Sequence, residues 1–91
     1  MAMNVERTSR FKKSYKKLDQ QSQKAINKAL VMMTEDFSHP SLRMKKMKGY
    51  HNPNIWGISA NMDVRITFHF ENTEMIVLRN CGHHDRTLNN P

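Results

Sequence analysis

The sequence contains a single cysteine, Cys81, among 91 residues. One thiol cannot form a disulfide within the chain, so a fold stabilised by internal disulfides is excluded. A lone cysteine is typical of a protein in a reducing compartment. Apolar runs are short, and none approaches the roughly 20 residues that span a membrane. The first residues also lack the apolar core of a signal peptide, and we therefore expect a soluble cytoplasmic protein.

Glycine and acidic residues are also scarce. The three glycines form no phosphate-cradling loop. Eight acidic residues stand against fifteen Lys and Arg, which gives a formal net charge of +7. Residues 1–50 hold 12 basic and 4 acidic residues, whereas residues 51–91 hold 3 and 4. This excess favours an anionic partner, either nucleic acid or an acidic protein segment. The length fits one small domain, residues 1–91.

The last third of the chain has the clearest structural pattern. Apolar and polar side chains alternate through residues 64–70, which predicts a half-buried antiparallel strand. One face would carry Val64, Ile66, Phe68 and Phe70, and the other Arg65, Thr67 and His69. Asn72 and Thr73 precede a second apolar run at residues 75–81, so we expect a tight hairpin. The chain is then predicted to leave the sheet at Gly82.

The first half of the chain has the periodicity of helices. Thr8 or the serine after it can cap a helix by accepting a backbone hydrogen bond. Apolar residues then recur at helical spacing, and we predict helices at residues 9–18 and Gln20–Glu35 that meet at Asp19 as an antiparallel hairpin. Asn4–Arg7 is a candidate for an edge strand.

A basic segment, residues 42–48, lies between the two halves and interleaves cationic side chains with Met44 and Met47. It is predicted to be a strand or an extended stretch. Residues 49–54 have the composition of a loop, and residues 55–60 are predicted to form the next strand. Helices followed by strands indicate an α+β fold, in which two N-terminal helices pack on one face of a small, mainly antiparallel sheet.

This order of features resembles the RelE/ParE toxin superfamily of bacterial toxin–antitoxin systems. A basic helical hairpin is followed by SLRMKKMKGYHNPNIW, then WGISANMDVRITFHFEN, an apolar strand, a glycine and a His-rich tail. The resemblance covers nearly the whole chain and implies a RelE-like fold with a concave sheet face that holds mRNA. RelE-type members are small ribosome-dependent ribonucleases, and ParE-type members poison DNA gyrase. In both types a labile antitoxin wraps the toxin.

The resemblance also implies roles for particular residues. Arg65 matches the arginine that RelE-type enzymes place on the central strand near the scissile phosphate. Lysines of the basic segment match residues that contact phosphate, and the tail matches a region where relatives carry His, Arg or Tyr. The residues concerned are Lys45, Lys46 and Lys48 in the segment, His83 and His84 in the tail, and His51 in a loop where some relatives carry a catalytic histidine. No tyrosine follows position 50 here, which leaves the general base unassigned.

These residue types suit RNA cleavage without a metal. The 2′-hydroxyl attacks the adjacent phosphorus, and the step needs a base, an acid and cations near the phosphorus centre. Histidine suits both proton roles because its unperturbed pKa is about 6.5, and the arginine fork suits phosphate. We predict His83 or His84 as one acid–base residue, with His51 as its counterpart and Arg65 on the phosphate. The predicted RNA-binding residues are Lys45, Lys46, Lys48, Arg79 and His69.

The tail also contains residue types that bind metals, namely Cys81, His83, His84 and Asp85. Their spacing matches no closed zinc pattern, so no metal and no cofactor is predicted. Asp85 could instead orient a neighbouring imidazole.

Three functions remain open from the sequence. The first is a type II toxin that acts as an endoribonuclease (an mRNA interferase) on mRNA translated by the 70S ribosome and so inhibits translation. The second is a gyrase-inhibiting toxin of the ParE type, and the third is a non-catalytic RNA-binding module of the same fold, whose binding would depend steeply on salt. The histidines and lysines favour the first. The implied partners are a cognate antitoxin, acidic and partly disordered, together with the ribosome and mRNA. No membrane partner is expected.

Overall fold

A computed structural model describes residues 4–51 and 54–91, and for residues 50 and 51 it describes the backbone alone. The elements in chain order are β1 (Asn4–Arg7), α1 (Ser9–Lys16), α2 (Gln20–Glu35), a 3₁₀ turn (Pro40–Leu42), β2 (Lys45–His51), β3 (Asn54–Ser59), β4 (Val64–Asn72), β5 (Met75–His83) and α3 (His84–Asn89). No helix in the described ranges is long and apolar enough to cross a membrane.

The five strands form one sheet in the order β1-β5-β4-β3-β2. Neighbouring strands from β2 to β5 are antiparallel, whereas β1 pairs in parallel with β5 and places Val5 opposite Ile76. The edge strand expected at Asn4–Arg7 therefore forms. The predicted α+β fold with a mainly antiparallel sheet is confirmed.

The two N-terminal helices begin where the sequence predicts. The Thr8 hydroxyl accepts a hydrogen bond from the backbone N–H of Phe11 at 3.1 Å and donates one to the Leu78 carbonyl at 2.8 Å, so it both caps α1 and ties it to β5. Helix α1 ends two residues earlier than expected, at Lys16, because the next backbone N–H groups bond three residues back and tighten the chain into a turn. Helix α2 has the predicted bounds.

Helices α1 and α2 pack on one face of the sheet. Phe11 of α1 joins Ile26 and Met33 of α2 in a core cluster with Ile66 and Phe68 of β4, and all five side chains are buried. Full burial of one such side chain contributes about 1.5–3 kcal/mol. The apolar face predicted from the alternation in residues 64–70 is therefore the core face of β4.

Strand β2 has the predicted length but is shifted by three residues, from the predicted 42–48 to Lys45–His51. It runs through His51, whereas residues 49–54 were expected to form a loop. The pairing of β2 with β3 is irregular between Lys46 and His51, and Gly49 has a positive φ of 87°. The glycine marks a distortion within the strand and not the end of it, because a strand can accommodate such a residue at an irregular position. Strand β3 begins one residue early, at Asn54.

The third helix, α3, was not predicted. Strand β5 runs to His83, so the prediction that the chain leaves the sheet at Gly82 is wrong by one residue, and α3 follows without a loop. Six residues are too few to show a helical apolar period. Tertiary contacts hold the end of α3 instead: the Asn80 side-chain amide donates to the Asn90 carbonyl at 2.7 Å, and the Arg10 guanidinium donates to the same carbonyl.

The only cysteine lies in the core on the helix side. Cys81 is 3% exposed, and burial raises the pKa of its thiol to about 12. Because the thiolate is the reactive form, a thiol reagent at pH 8 should label the native protein at least roughly 100-fold more slowly than the denatured protein. The protonated thiol is favoured by folding, so stability should also fall as the pH rises from the ordinary pKa of 9.0 towards about 12. Equally fast labelling of native and denatured protein would contradict this burial.

Candidate active site

The sheet face opposite α1 and α2 carries the polar residues of β4, and α3 lies over part of it. In the register of the sheet, Arg65 stands between a β3 residue and Gly82 of β5. A Cβ built on Gly82 would lie 2.9 Å from the Thr87 hydroxyl, and one on Gly57 would lie 3.8 Å from Leu88. The two glycines therefore allow α3 to approach the strands closely.

A cavity of about 560 Å³, called the cationic cavity below, opens on this face beside α3. Its charged lining consists of Arg43, Lys45, Lys46, Lys48 and Arg65, with the imidazole of His84. Among the described residues no carboxylate lines it. Five like charges around one cavity repel each other, and a polyanion that neutralises them would be bound favourably. The composition therefore suits a phosphate backbone.

Arg65 is held in place by backbone carbonyls. Its Nη1 donates to the carbonyl of Asn61 at 2.6 Å and to that of Val64 at 3.1 Å. Both bonds use the same nitrogen, and within the described residues the rest of the guanidinium keeps its donors for an anion. A fixed fork of this kind binds phosphate with little loss of conformational freedom.

His84 is the imidazole of the cationic cavity. Its Nδ1 lies 2.9 Å from a carboxylate oxygen of Asp85, and its side chain is half exposed. Because a carboxylate only accepts hydrogen bonds, Nδ1 carries the proton and donates a hydrogen bond to Asp85. In the neutral ring this leaves Nε2 without a proton, and Nε2 can then accept one from a ligand. Asp85 thus occupies the orienting position that the sequence suggested.

His83 lies in a different cavity. His83 is the last residue of β5 and lines a second cavity of about 700 Å³ with Asp19, Asp63 and Arg86. Interaction with Ser22 lowers the pKa of Asp19, and the charge of His83 lowers it further. Helix α3 divides the two cavities, so the histidine pair of the tail is split between them.

His69 and Arg79 contact each other on the polar face. Arg79 Nη1 donates to His69 Nδ1 at 3.0 Å, and His69 Nε2 lies 3.3 Å from a carboxylate oxygen of Glu71. This chain of contacts fixes the neutral tautomer of His69 with its proton on Nε2. Neither residue lines the cationic cavity. His69 is four strand positions from Arg65, which is about 13 Å along β4.

Solved structures of bacterial and archaeal toxins share this architecture. A mutant of the E. coli toxin RelE in the free state matches with a TM-score of 0.71 and 18% identity, over 96% of this chain and 88% of that one. The RelB–RelE antitoxin–toxin complex from Methanococcus jannaschii matches with a TM-score of 0.72 and 24% identity, over 93% and 96%. The E. coli DinJ–YafQ complex reaches 0.75 with 8% identity, over 94% and 97%. The fold is that of the RelE/ParE toxins.

The likeness to the RelE/ParE toxins is one of fold. No protein-family model matches the sequence, and no curated protein sequence matches it either. The identities above are too low to carry a function from one protein to another, because one fold hosts many functions. The RelE-like architecture expected from the sequence is nevertheless confirmed.

The RelE/ParE fold brings only part of the predicted site together. Arg65, the three lysines and His84 line one cavity, whereas His83, His69 and Arg79 lie elsewhere. His51 ends β2, and its side chain lies outside the described residues. No group of three or more metal-binding side chains occurs in the described part of the chain. The catalytic and RNA-binding roles of all these residues remain predictions.

Sequence reasoning missed one charged residue of the cavity, Arg43. It belongs to the same basic segment as the lysines, and its place at the start of that segment was the signal that could have identified it. The sequence pattern did not distinguish Arg43 from an arginine that is merely solvated, because the backbone turn at this position is not visible in the sequence.

Proposed function

We propose that this protein is the toxin of a type II toxin–antitoxin system and an endoribonuclease that cuts mRNA translated on the ribosome. One observation carries the proposal: an oriented imidazole, His84, shares a cavity with five cations. Such a combination suits proton transfer next to a phosphate. The names of the structural neighbours, which are RelE, YoeB and YafQ toxins, support the choice of class.

The proposed reaction needs no group beyond the RNA and the protein. The 2′-oxygen forms a bond to the adjacent phosphorus, the bond from phosphorus to the 5′-oxygen breaks, and a cyclic phosphate results. His84 Nε2 takes the proton from the 2′-hydroxyl or, when protonated, gives one to the 5′-oxygen. His51 is proposed for the opposite proton role, and Arg65 with the lysines would stabilise the charge on the phosphorus centre.

The expected sizes of these effects decide which residues matter most. A positioned acid or base typically contributes 10²–10⁴-fold to a rate, and one electrostatic donor at a developing charge about 10²–10³-fold. His84 and Arg65 are therefore expected to dominate the chemistry. Single lysines at the open edge of the cavity should contribute less, because water and salt screen exposed charges.

We also propose a cognate antitoxin as partner. An acidic, partly disordered segment could cover the cationic cavity and gain structure on binding. The RelE and YafQ neighbours include toxin–antitoxin complexes, which supports this proposal. Co-expression of such an acidic partner should restore the growth of cells that the toxin arrests.

Primer extension on mRNA after induced expression tests the proposal. The wild-type protein should produce cuts within translated codons, and Arg65→Ala should reduce them about 100-fold or more, because the guanidinium that neutralises the phosphate is lost. Arg7→Ala is the matched control, since Arg7 is an exposed arginine on β1 and does not line the cavity. Growth arrest with uncut mRNA would contradict the ribonuclease proposal and indicate a gyrase-directed toxin. RNA binding without arrest or cuts would point to a binding module.

A further inference from the structure

Arg43 has an unusual backbone conformation. Its φ and ψ are 50° and 48°, which is the left-handed helical region, and it is the one residue other than glycine with a positive φ in the described ranges. For a residue with a Cβ this conformation costs free energy, because the Cβ approaches the following carbonyl oxygen. Such strain persists only where the surrounding structure determines it, and it often marks a functional position.

Packing on both sides determines the conformation of Arg43. Leu42, at the end of the 3₁₀ turn, is 2% exposed, and Met44 packs against the core cluster. The N–H of Arg43 bonds to the Pro40 carbonyl at 3.1 Å, and β2 begins two residues later, at Lys45. The chain must therefore turn at Arg43. Glycine would make this turn without the cost and is the usual residue at such a position.

The side chain of Arg43 has no role in holding the fold. It is exposed, and among the described residues its guanidinium makes neither a hydrogen bond nor an ion pair. It lines the cationic cavity together with Lys45 and Arg65. Both the backbone conformation and the charge repulsion are thus unfavourable in the free protein. An anion in the cavity would offset both.

We propose that Arg43 is a phosphate-binding residue of the cationic cavity, aimed by its left-handed backbone at the RNA. The proposal rests on the proposed function for the identity of the anion. Five cations around about 560 Å³ exceed what one phosphate requires, so Arg43 binds a phosphate next to the one on Arg65. Its planar fork donates two hydrogen bonds to that phosphate. The effect is on binding and not on the chemical step.

Binding of a fluorescent single-stranded RNA with 2′-O-methyl groups, which cannot be cut, tests the proposal across a range of salt concentrations. The variant Arg43→Gly should bind more weakly by about 10-fold at low salt. The slope of log K against log salt should become shallower by about 0.7, the value for one phosphate contact on a single strand. Arg43→Lys should keep most of the slope. Lys24→Ala, which removes a charge from an exposed site on α2, should change neither quantity.

Thermal unfolding of the same variants separates this role from a structural one. Arg43→Gly should leave the Tm unchanged or raise it, because glycine relieves the backbone conformation. An unchanged salt slope, or a marked fall in the Tm, would overturn the proposal. If the wild type cuts no mRNA but Arg43→Gly still loses the slope, the ribonuclease fails and the phosphate contact stands. If the wild type cuts mRNA and Arg43→Gly binds normally, the phosphate contact of Arg43 fails and the ribonuclease stands.

Discussion

Replacing His84 with alanine should lower the rate of mRNA cleavage by about 100-fold or more, whereas His83→Ala should leave it within about 2-fold. The two histidines are adjacent in the sequence, yet His84 lines the cationic cavity with Arg65, and His83 lines the cavity on the other side of α3. Only a group within hydrogen-bond reach of the reacting oxygen can transfer its proton, and that transfer is typically worth 10²–10⁴-fold.

His83→Ala is a matched control for His84→Ala, because the two positions are adjacent in the sequence. Both substitutions remove the same exposed side chain, so both variants should unfold at nearly the wild-type temperature, as circular dichroism can show. Cleavage is then measured by primer extension at equal protein levels. Loss of cleavage in His83→Ala with normal cleavage in His84→Ala would refute the assignment of the cationic cavity as the active site.

Gly82→Ala should lower the free energy of unfolding by roughly 2 kcal/mol and abolish most activity. Gly82 has a φ of 150°, which side chains rarely adopt, and its new Cβ would lie 2.9 Å from the hydroxyl oxygen of Thr87. Strain of this kind costs about 1–3 kcal/mol. Helix α3 must shift to relieve it, and His84 at the start of α3 would shift with it. Urea unfolding and primer extension measure the two effects.

Two further variants isolate the cause. Gly57→Ala adds the same methyl group under α3, but its Cβ would meet Leu88 at an ordinary 3.8 Å, so it should be tolerated. In the background of Gly82→Ala, the additional change Thr87→Ala removes the clashing hydroxyl and should restore part of the stability. A fully stable and active Gly82→Ala protein would show that α3 does not need its close approach to β5.

Much of the fold follows from local patterns in the sequence. The alternation around Ile66 fixes which face of β4 is buried, and the helical period with its capping position gives α2 its bounds. These patterns succeed because the local preference and the tertiary packing agree. The α+β class then follows from the order of the elements.

The errors arise where tertiary contacts decide. Helix α3 has almost no apolar period, and Asn80 and Arg10 hold it from distant parts of the chain. Gly82 looked like the end of a strand, but β5 continues through His83, whereas His84 is the first residue of α3 and lines the other cavity. The backbone turn at Arg43 is likewise set by packing on either side, which no local pattern encodes.

The pairing of β1 with β5 also determines when the protein can finish folding. The hydroxyl of Thr8 donates a hydrogen bond to the carbonyl of Leu78, 70 positions later in the sequence. Strand β1 can therefore join the sheet only when β5 is present. Contacts between such distant segments form late, because the intervening chain must close first. His84 is synthesised later still. A nascent chain that has not yet exposed residues 75–89 therefore has neither the complete sheet nor the His84 imidazole, and the cationic cavity can assemble only once these residues have left the ribosome.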